Sequence, residues 1–349
     1  MERVTITARV ELKDAERAKN ALLKLGIVDS GREMAREGNH FLIPLVLKPP
    51  AKLSWIEIAR KRLPLRKKAQ TFQEALAKRK ILTASEAQRH KVSFDIVGDI
   101  ALIEVPEELS QKERAIAGEL LKFLRPRIRT VAKKTVTSGE YRVRKIAVLA
   151  GGRKTATDYA ESGCVFGVDL NRAYFNPRLS YERERIASLV KKGENVLVLF
   201  AGVGPFPVVI GKKNPQTKII AIEINPDAVE EMRGNVERNG IQNVEVIEGD
   251  VKRILGGRRF SRWADRVVMP LPHNAVDFLP EAICAARKGG TIHLYSFASE
   301  LEKDMFSGLK MVAKGECERQ GRKSAFLSAR KVLSYAPRVA QIVVDFKVD

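Results

Sequence analysis

The feature that most narrows the fold is an apolar run, Asn195-Val-Leu-Val-Leu-Phe200, that stops abruptly at Ala201-Gly-Val-Gly-Pro-Phe206. The run has the length and β-branched content of a strand buried on both faces, as in a parallel sheet. Two glycines one residue apart allow a tight strand-to-helix turn and let a ligand approach backbone that a side chain would cover. A second run, Lys218-Ile-Ile-Ala-Ile222, ends in Glu223, nineteen positions after Gly204; a third, 244–247, ends in Glu248-Gly-Asp250. This alternation predicts an α/β domain on a mainly parallel, Rossmann-like sheet from about residue 166 to the end.

In such a sheet Glu223 stands at the carboxyl end of the strand next to the glycine turn, where it can accept both ribose hydroxyls. Asp250 is placed to meet the exocyclic amine of an adenine. A dinucleotide fingerprint wants a further glycine three positions after Gly204, where the chain has Pro207, so a pyrophosphate-binding turn is disfavoured. An adenosine without pyrophosphate, as in S-adenosylmethionine, fits the set. The plainer reading makes Gly202 only a turn residue and Glu223 only a cap for a helix starting near Pro226.

Charge narrows the partner. Sixty-three Lys and Arg against 42 Asp and Glu leave +21 over 349 residues, far beyond what solubility requires. Residues 51–150 carry 23 basic against 11 acidic side chains, whereas 1–50 carry 9 against 7 and 151–349 carry 31 against 24. The clusters Arg60-Lys-Arg62, Arg66-Lys-Lys68, Lys78-Arg-Lys80 and 125–134 suit phosphate contacts. Lys-rich surfaces also occur in hyperthermophile proteins, but matching Glu is then usual and here the acids are missing. A nucleic acid is the expected partner.

No apolar run approaches the ~18 residues that span a bilayer, and the charged first 26 residues do not resemble a signal peptide; a cytoplasmic location is expected. Cys164, Cys284 and Cys317 are far apart and lack a CxxC pair, so they read as structural thiols. His40, His90, His273 and His293 show no ligand spacing, and no metal is expected.

Along the chain, residues 1–50 read as a small α/β domain, with strands at 4–12 and 40–47 around a helix at 14–25. A basic, proline-punctuated linker is expected over 51–69. Residues 70–165 read as an α+β, RNA-facing domain with helices at 72–80 and 111–121 and strands at 94–97, 100–105, 128–132 and 142–148. Residues 166–349 form the catalytic domain.

One stretch is more specific. Tyr174-Phe-Asn-Pro-Arg-Leu-Ser-Tyr-Glu-Arg-Glu-Arg185 resembles the YFxPRLxxER signature of the archaeal and eukaryotic tRNA (guanine-37 N1)-methyltransferases, a Rossmann-fold family distinct from the knotted bacterial enzymes. Asp95-Ile-Val-Gly-Asp99, Gly139-Glu-Tyr-Arg-Val-Arg144, the turn 200–206, Glu223-Ile-Asn-Pro226 and Ser334-Tyr-Ala-Pro-Arg338 are similar to that family in the same order. The likeness runs from about residue 70 to the end. The first fifty residues resemble the family's N-terminal domain more loosely, with an implied role at the tRNA outer corner.

The resemblance implies S-adenosylmethionine as cofactor and tRNA as substrate, methylated on N1 of the guanosine 3′ of the anticodon; a monomer is expected. Guanine N1 carries a proton, so transfer needs a base and a donor near O6 for the developing charge. By resemblance Glu182 is that base and Arg142 that donor, with Arg144 and Lys145 close enough to exchange roles with Arg142. Arg183 is implied to touch the cofactor, joining Gly202, Gly204, Glu223, Ile224, Asp250, Val251 and Pro270. Tyr174, Arg178, Leu271 and Pro272 are the substrate-binding set. The target base must leave its stack to be reached. Taken alone, Glu182 and Arg183 would read as an exposed first helical turn.

The chain also departs from the family pattern. Val198 stands where an acid commonly ends the first strand. Pro270-Leu-Pro272 replaces the usual Asn-Leu-Pro or Asn-Pro-Pro, and proline offers only a carbonyl to the target base. Residues 155–163 are less basic than their family counterpart. Other readings therefore stay open: a wyosine-pathway transferase, either moving the aminocarboxypropyl group or methylating both guanosine and a wyosine precursor; a tRNA-binding protein with a degenerate cofactor fold; and, remotely, a nicotinamide dehydrogenase.

Overall fold

The structure, a computed structural model, describes residues 4–65, 71–138 and 143–349. The chain divides into two compact units, Met1–Thr71 and Phe72–Asp349. In the first, β1 (Val4–Glu11), α1 (Ala15–Lys24), β2 (Ala35–Glu37), β3 (His40–Leu45) and β4 (Glu57–Arg62) build an antiparallel sheet in the order β2-β3-β1-β4. Ala18 and Leu22 of α1 close its core over Ala8, Val10, Ile43 and Leu45. β4 corrects the expected linker. Its sequence, Glu57-Ile-Ala-Arg-Lys-Arg62, has no clean apolar face because it is an edge strand, where charged side chains discourage further pairing. The Arg60–Arg62 cluster therefore belongs to a folded sheet.

The second unit opens with α2 (Phe72–Lys78), α3 (Ala84–Arg89), β5 (Ser93–Val97), β6 (Ile100–Glu104), α4 (Glu113–Leu124), β7 (Thr130–Ser138) and β8 (Val143–Gly151). The four strands form a sheet in sequence order. The short helix α3 was not expected, although its start carries a capping box: Glu86 N donates to Thr83 Oγ1 at 3.2 Å and Thr83 N to Glu86 Oε2 at 2.7 Å. Ile100-Ala-Leu-Ile103 is buried throughout. Ala101 and Ile103 face the helices, while Ile100 and Leu102 join Phe166 and Phe175 in the core of the catalytic part. The expected division at 165/166 thus falls within one shared core.

A hairpin, β9 (Ala156–Glu161) and β10 (Cys164–Asp169), crosses that division through Ser162-Gly163, at φ 47° and 71°. Asp99 N donates to Thr157 Oγ1 at 3.1 Å, and that hydroxyl donates to Asp99 Oδ1 at 2.6 Å. A Cβ on Gly98 would overlap Thr157 and the Asp158 carbonyl, so the approach requires glycine. On the catalytic side Asn235 brackets Gly167, accepting from its amide at 2.7 Å and donating to its carbonyl at 3.0 Å.

After α5 (Ser180–Leu189) come β11 (Asn195–Leu199), α6 (Pro205–Lys213), β12 (Lys218–Glu223), α7 (Pro226–Arg238), β13 (Val244–Glu248), α8 (Val251–Leu255), β14 (Ala264–Met269), α9 (Leu279–Ala285), β15 (Ala286–Ser299), α10 (Ser307–Arg319), β16 (Ser324–Ala336) and β17 (Val339–Val348). The sheet runs β13-β12-β11-β14-β15-β17-β16, parallel through β15 and antiparallel beyond it. This is the expected Rossmann-like sheet. Strand order reverses between β11 and β14, and such a switch point opens a crevice at the carboxyl edge.

Candidate active site

At that edge β11 runs into a turn with Gly202 at φ 56° and Gly204 at φ 85°. Phe200 also takes φ 55°, a conformation costly for a residue with a side chain; its ring is braced edge-on by Phe278 at 4.8 Å. Glu223, the last residue of β12, ties two turns together. Its Oε2 accepts from Gly202 N at 2.8 Å, and its Oε1 from Ile224 N at 3.0 Å and Asn225 N at 2.9 Å. Asp250 caps α8, its Oδ1 accepting from Lys252 N at 2.6 Å. Val251 behind it is buried, while Ile224 is exposed.

The donor chemistry fits an adenosine. Two carboxylates stand at the ends of adjacent strands, and a Cβ on Gly202 would find nothing nearer than the Tyr174 carbonyl at 3.8 Å, so the glycine keeps an approach open. A pyrophosphate fits poorly, because Pro205 and Pro207 remove two amides from the first turn of α6. Gly202, Glu223, Ile224, Asp250 and Val251 thus gather at this edge, whereas a Cβ on Gly204 would strike Met232 Cγ at 2.7 Å, so that glycine serves the packing of the turn. Pro270 directly follows β14, the strand beside β11.

The Asn-Pro turn ahead of α5 is locked by Asn176 Oδ1, which accepts from Arg178 N at 3.0 Å. Glu182 and Arg183 are only 2% and 1% exposed, so they are no solvated helical turn. Tyr295 OH donates to Glu182 Oε1 at 2.6 Å; Arg185 forks onto both oxygens from Nη2 at 2.7 Å and Nε at 2.9 Å. Tyr295 also meets the ring of Phe206, in the first turn of α6, with centroids 6.2 Å apart. The carboxylate is thereby held beside the glycine turn.

The network continues inward. Arg185 Nη1 donates to Asp345 Oδ2 at 2.7 Å, Asp345 Oδ1 meets His293 Nδ1 at 2.6 Å, and His293 Nε2 meets Arg266 Nη1 at 2.7 Å. Burial above all keeps His293 neutral and pushes its pKa down. Burial opposes the Asp345 carboxylate, but hydrogen bonds from His293 and Arg185 prevail and hold its pKa far below the carboxylate range. Both groups predict acid sensitivity. A His with a depressed folded pKa binds fewer protons than the unfolded chain, so its contribution falls as pH drops below about 6.5; that of Asp345 falls below about 4. Urea midpoints between pH 8 and pH 5 should decline, and His293→Gln should flatten the part below about 6.5; an undiminished slope would assign it to other groups.

Arg183 does something the resemblance did not imply. Nε and Nη2 form a fork onto Glu161 at 2.5 and 2.6 Å, and Nη1 donates to the Asn176 carbonyl at 3.1 Å. Its guanidinium is engaged with protein on every nitrogen, and lies over the Phe175 ring at 5.4 Å. In this arrangement Arg183 pins the β9–β10 hairpin to the signature turn. Breaking a buried pair from one side strands a charge, so Glu161→Ala is expected to cost about 3–5 kcal/mol in denaturant unfolding. A loss under about 1 kcal/mol would mean that the pair does not brace the fold.

The remaining candidates separate. Arg178 Nε donates to Asp95 Oδ1 at 2.6 Å, joining the signature to the Asp95–Asp99 motif. Tyr174 is 64% exposed, and Leu271 and Pro272 are half-buried beyond β14. Arg142 lies outside the described residues. Sequence reasoning missed Tyr295, Asp345 and the pairing of Arg185. The available signal was in Thr291-Ile-His-Leu-Tyr295: polar His293 and Tyr295 alternate with apolar residues in a buried strand. Of the cysteines, Cys164 and Cys317 are buried and Cys284 is exposed. Among the described residues no group of His, Cys, Asp and Glu could hold a metal.

Comparison with known proteins finds relatives along the whole chain. A family profile described as the TRM5/TYW2 methyltransferase domain matches residues 157–319, one for the TYW2 N-terminal domain matches 72–155, and one for the tRNA methyltransferase 5 N-terminal domain matches 8–52. The tRNA (guanine(37)-N(1))-methyltransferase Trm5b of Pyrococcus abyssi is 33% identical over 99% of both chains, and its crystal structure superposes with a TM-score of 0.72, covering 99% of each chain at 32% identity. A structure described as the complex of aTrm5 and tRNALeu covers 99% of this chain and all of that one, at 27% identity and a TM-score of 0.67. The tRNA(Phe) (4-demethylwyosine(37)-C(7)) aminocarboxypropyltransferase of Methanocaldococcus jannaschii is 29% identical over 74% of this chain and 98% of its own. Matched from end to end by a relative of that identity, the chain belongs to the Trm5 family of Rossmann-fold tRNA (guanine-37 N1)-methyltransferases.

Proposed function

We propose that this protein transfers a methyl group from S-adenosylmethionine to N1 of the guanosine 3′ of the anticodon in tRNA, with Glu182 as the base that removes the N1 proton. The observation that carries the assignment of the base is a buried carboxylate fixed by Tyr295 and Arg185 next to the glycine turn. Bound S-adenosylmethionine supplies the methyl group. Glu223 orients the ribose and Asp250 the adenine amine, while Gly202 leaves room along the backbone and Gly204 lets the turn close over Met232. Burial and the neighbouring Glu182 charge push the Tyr295 pKa up, so its hydroxyl stays a donor and fixes the carboxylate. Arg142 is assigned to O6 by its place in the motif, where a cation offsets charge as N1–H breaks. Tyr174, Arg178, Leu271 and Pro272 border the extruded nucleotide, with Pro270 at the cofactor side. Arg183 acts as a brace behind Glu182.

The tRNA is held by the anticodon stem-loop and, through the first unit, at its outer corner. We place the enzyme in the cytoplasm as a monomer; no helix among the described residues is long and apolar enough to cross a membrane. Reverse transcription tests the target directly, since a methyl on N1 blocks base pairing. Treated tRNA should stop the polymerase at guanosine 37 and pass it when that nucleotide is adenosine. Stops elsewhere, or equal stops on both RNAs, would move the target.

A further inference from the structure

A ring cluster on the carboxyl edge of the same sheet has no part in the reaction as described. Phe297 of β15 and Tyr335 of β16 have ring centroids 4.2 Å apart, and His273, the residue after Pro270-Leu-Pro272, meets them at 4.6 and 6.0 Å. Phe297 lies two residues beyond Tyr295, so both side chains leave one face of β15, roughly 7 Å apart along the strand. Tyr295 holds Glu182, which puts the cluster one step outward from the base. Rings recruited only for packing would be covered, yet Tyr335 is 45% exposed and His273 is exposed as well. Arg338, in the tight turn between β16 and β17, takes φ 62° and is exposed, adding a cation for a phosphate. Solvent-exposed aromatic rings, with a cation three residues along the chain from Tyr335, are a usual means of holding an unpaired nucleobase.

We propose that Tyr335, Phe297 and His273 form a stacking platform for the unpaired nucleobase adjacent to the target guanine, so that the loop is seated with its target at Glu182. This rests on Glu182 facing the target. The platform gives Ser334-Tyr-Ala-Pro-Arg338, a motif without a role until here, a function in binding. It also adds recognition on the side where Pro270 removes an amide.

The test compares wild type, Tyr335→Ala, Tyr335→Phe and His273→Ala on intact tRNA and on tRNAs lacking the base at either nucleotide flanking guanosine 37, reading KM and the single-turnover rate. Tyr335→Ala should raise KM about tenfold on intact tRNA, within the range for losing one stacked base, whereas Tyr335→Phe should stay near wild type. The penalty should vanish on one of the two abasic RNAs, with His273→Ala showing a smaller effect of the same pattern. An equal penalty on all RNAs, or none on any, overturns the platform. Both outcomes are read against wild type: methylation of guanosine 37 by wild type leaves the proposed reaction standing even if the platform fails, and its absence refutes the reaction.

Discussion

Glu182→Gln should lower the single-turnover rate of methyl transfer by ~100-fold or more, the usual range for losing a general base, with tRNA affinity near wild type. The amide keeps the shape and can still accept from Tyr295, but it cannot take the N1 proton. It also leaves Arg185 with one charged partner, Asp345, where it had two. Because that charge stays paired, the fold should survive, and a melt run alongside the kinetics checks it. Equal losses in binding and turnover would assign Glu182 to the scaffold and the base to another residue.

Glu223→Ala should raise the Kd for S-adenosylmethionine by about 100-fold or more if, as proposed, both ribose hydroxyls donate to this charged acceptor. The same change frees the Gly202, Ile224 and Asn225 amides that the carboxylate holds. Binding of tRNA alone should be untouched. Isothermal titration with the cofactor and a filter assay with tRNA separate the two. A protein that bound tRNA only as a carrier would show no cofactor affinity to lose, so unchanged calorimetry would favour that reading.

What was legible in the sequence was local. Asn195-Val-Leu-Val-Leu, the two glycines, Glu223 and Asp250 follow each other within 56 residues, and each element's neighbours in sequence are its neighbours in space. The Glu182–Tyr295 bond joins positions 113 residues apart, and no periodicity announces such a pair. Burial of Glu182 and Arg183 was hidden for the same reason: the ERER run looks solvated until Tyr295, Asp345 and Glu161 are brought to three of its four side chains. β4 escaped because an edge strand carries charge instead of alternation. The division near 165 lies within a shared core because Ile100 and Leu102 pack with Phe166 and Phe175, a two-sided burial that a run of four apolar residues suggests without saying what lies on each side.

The most direct test is incubation of purified protein with unmodified tRNA and S-adenosylmethionine labelled separately in the methyl and carboxyl groups, followed by nucleoside mass analysis. The account predicts methyl label in N1-methylguanosine next to the anticodon and no carboxyl label in the RNA. Carboxyl label in the RNA would contradict it and indicate aminocarboxypropyl transfer; tight tRNA binding with no label of either kind would contradict catalysis altogether.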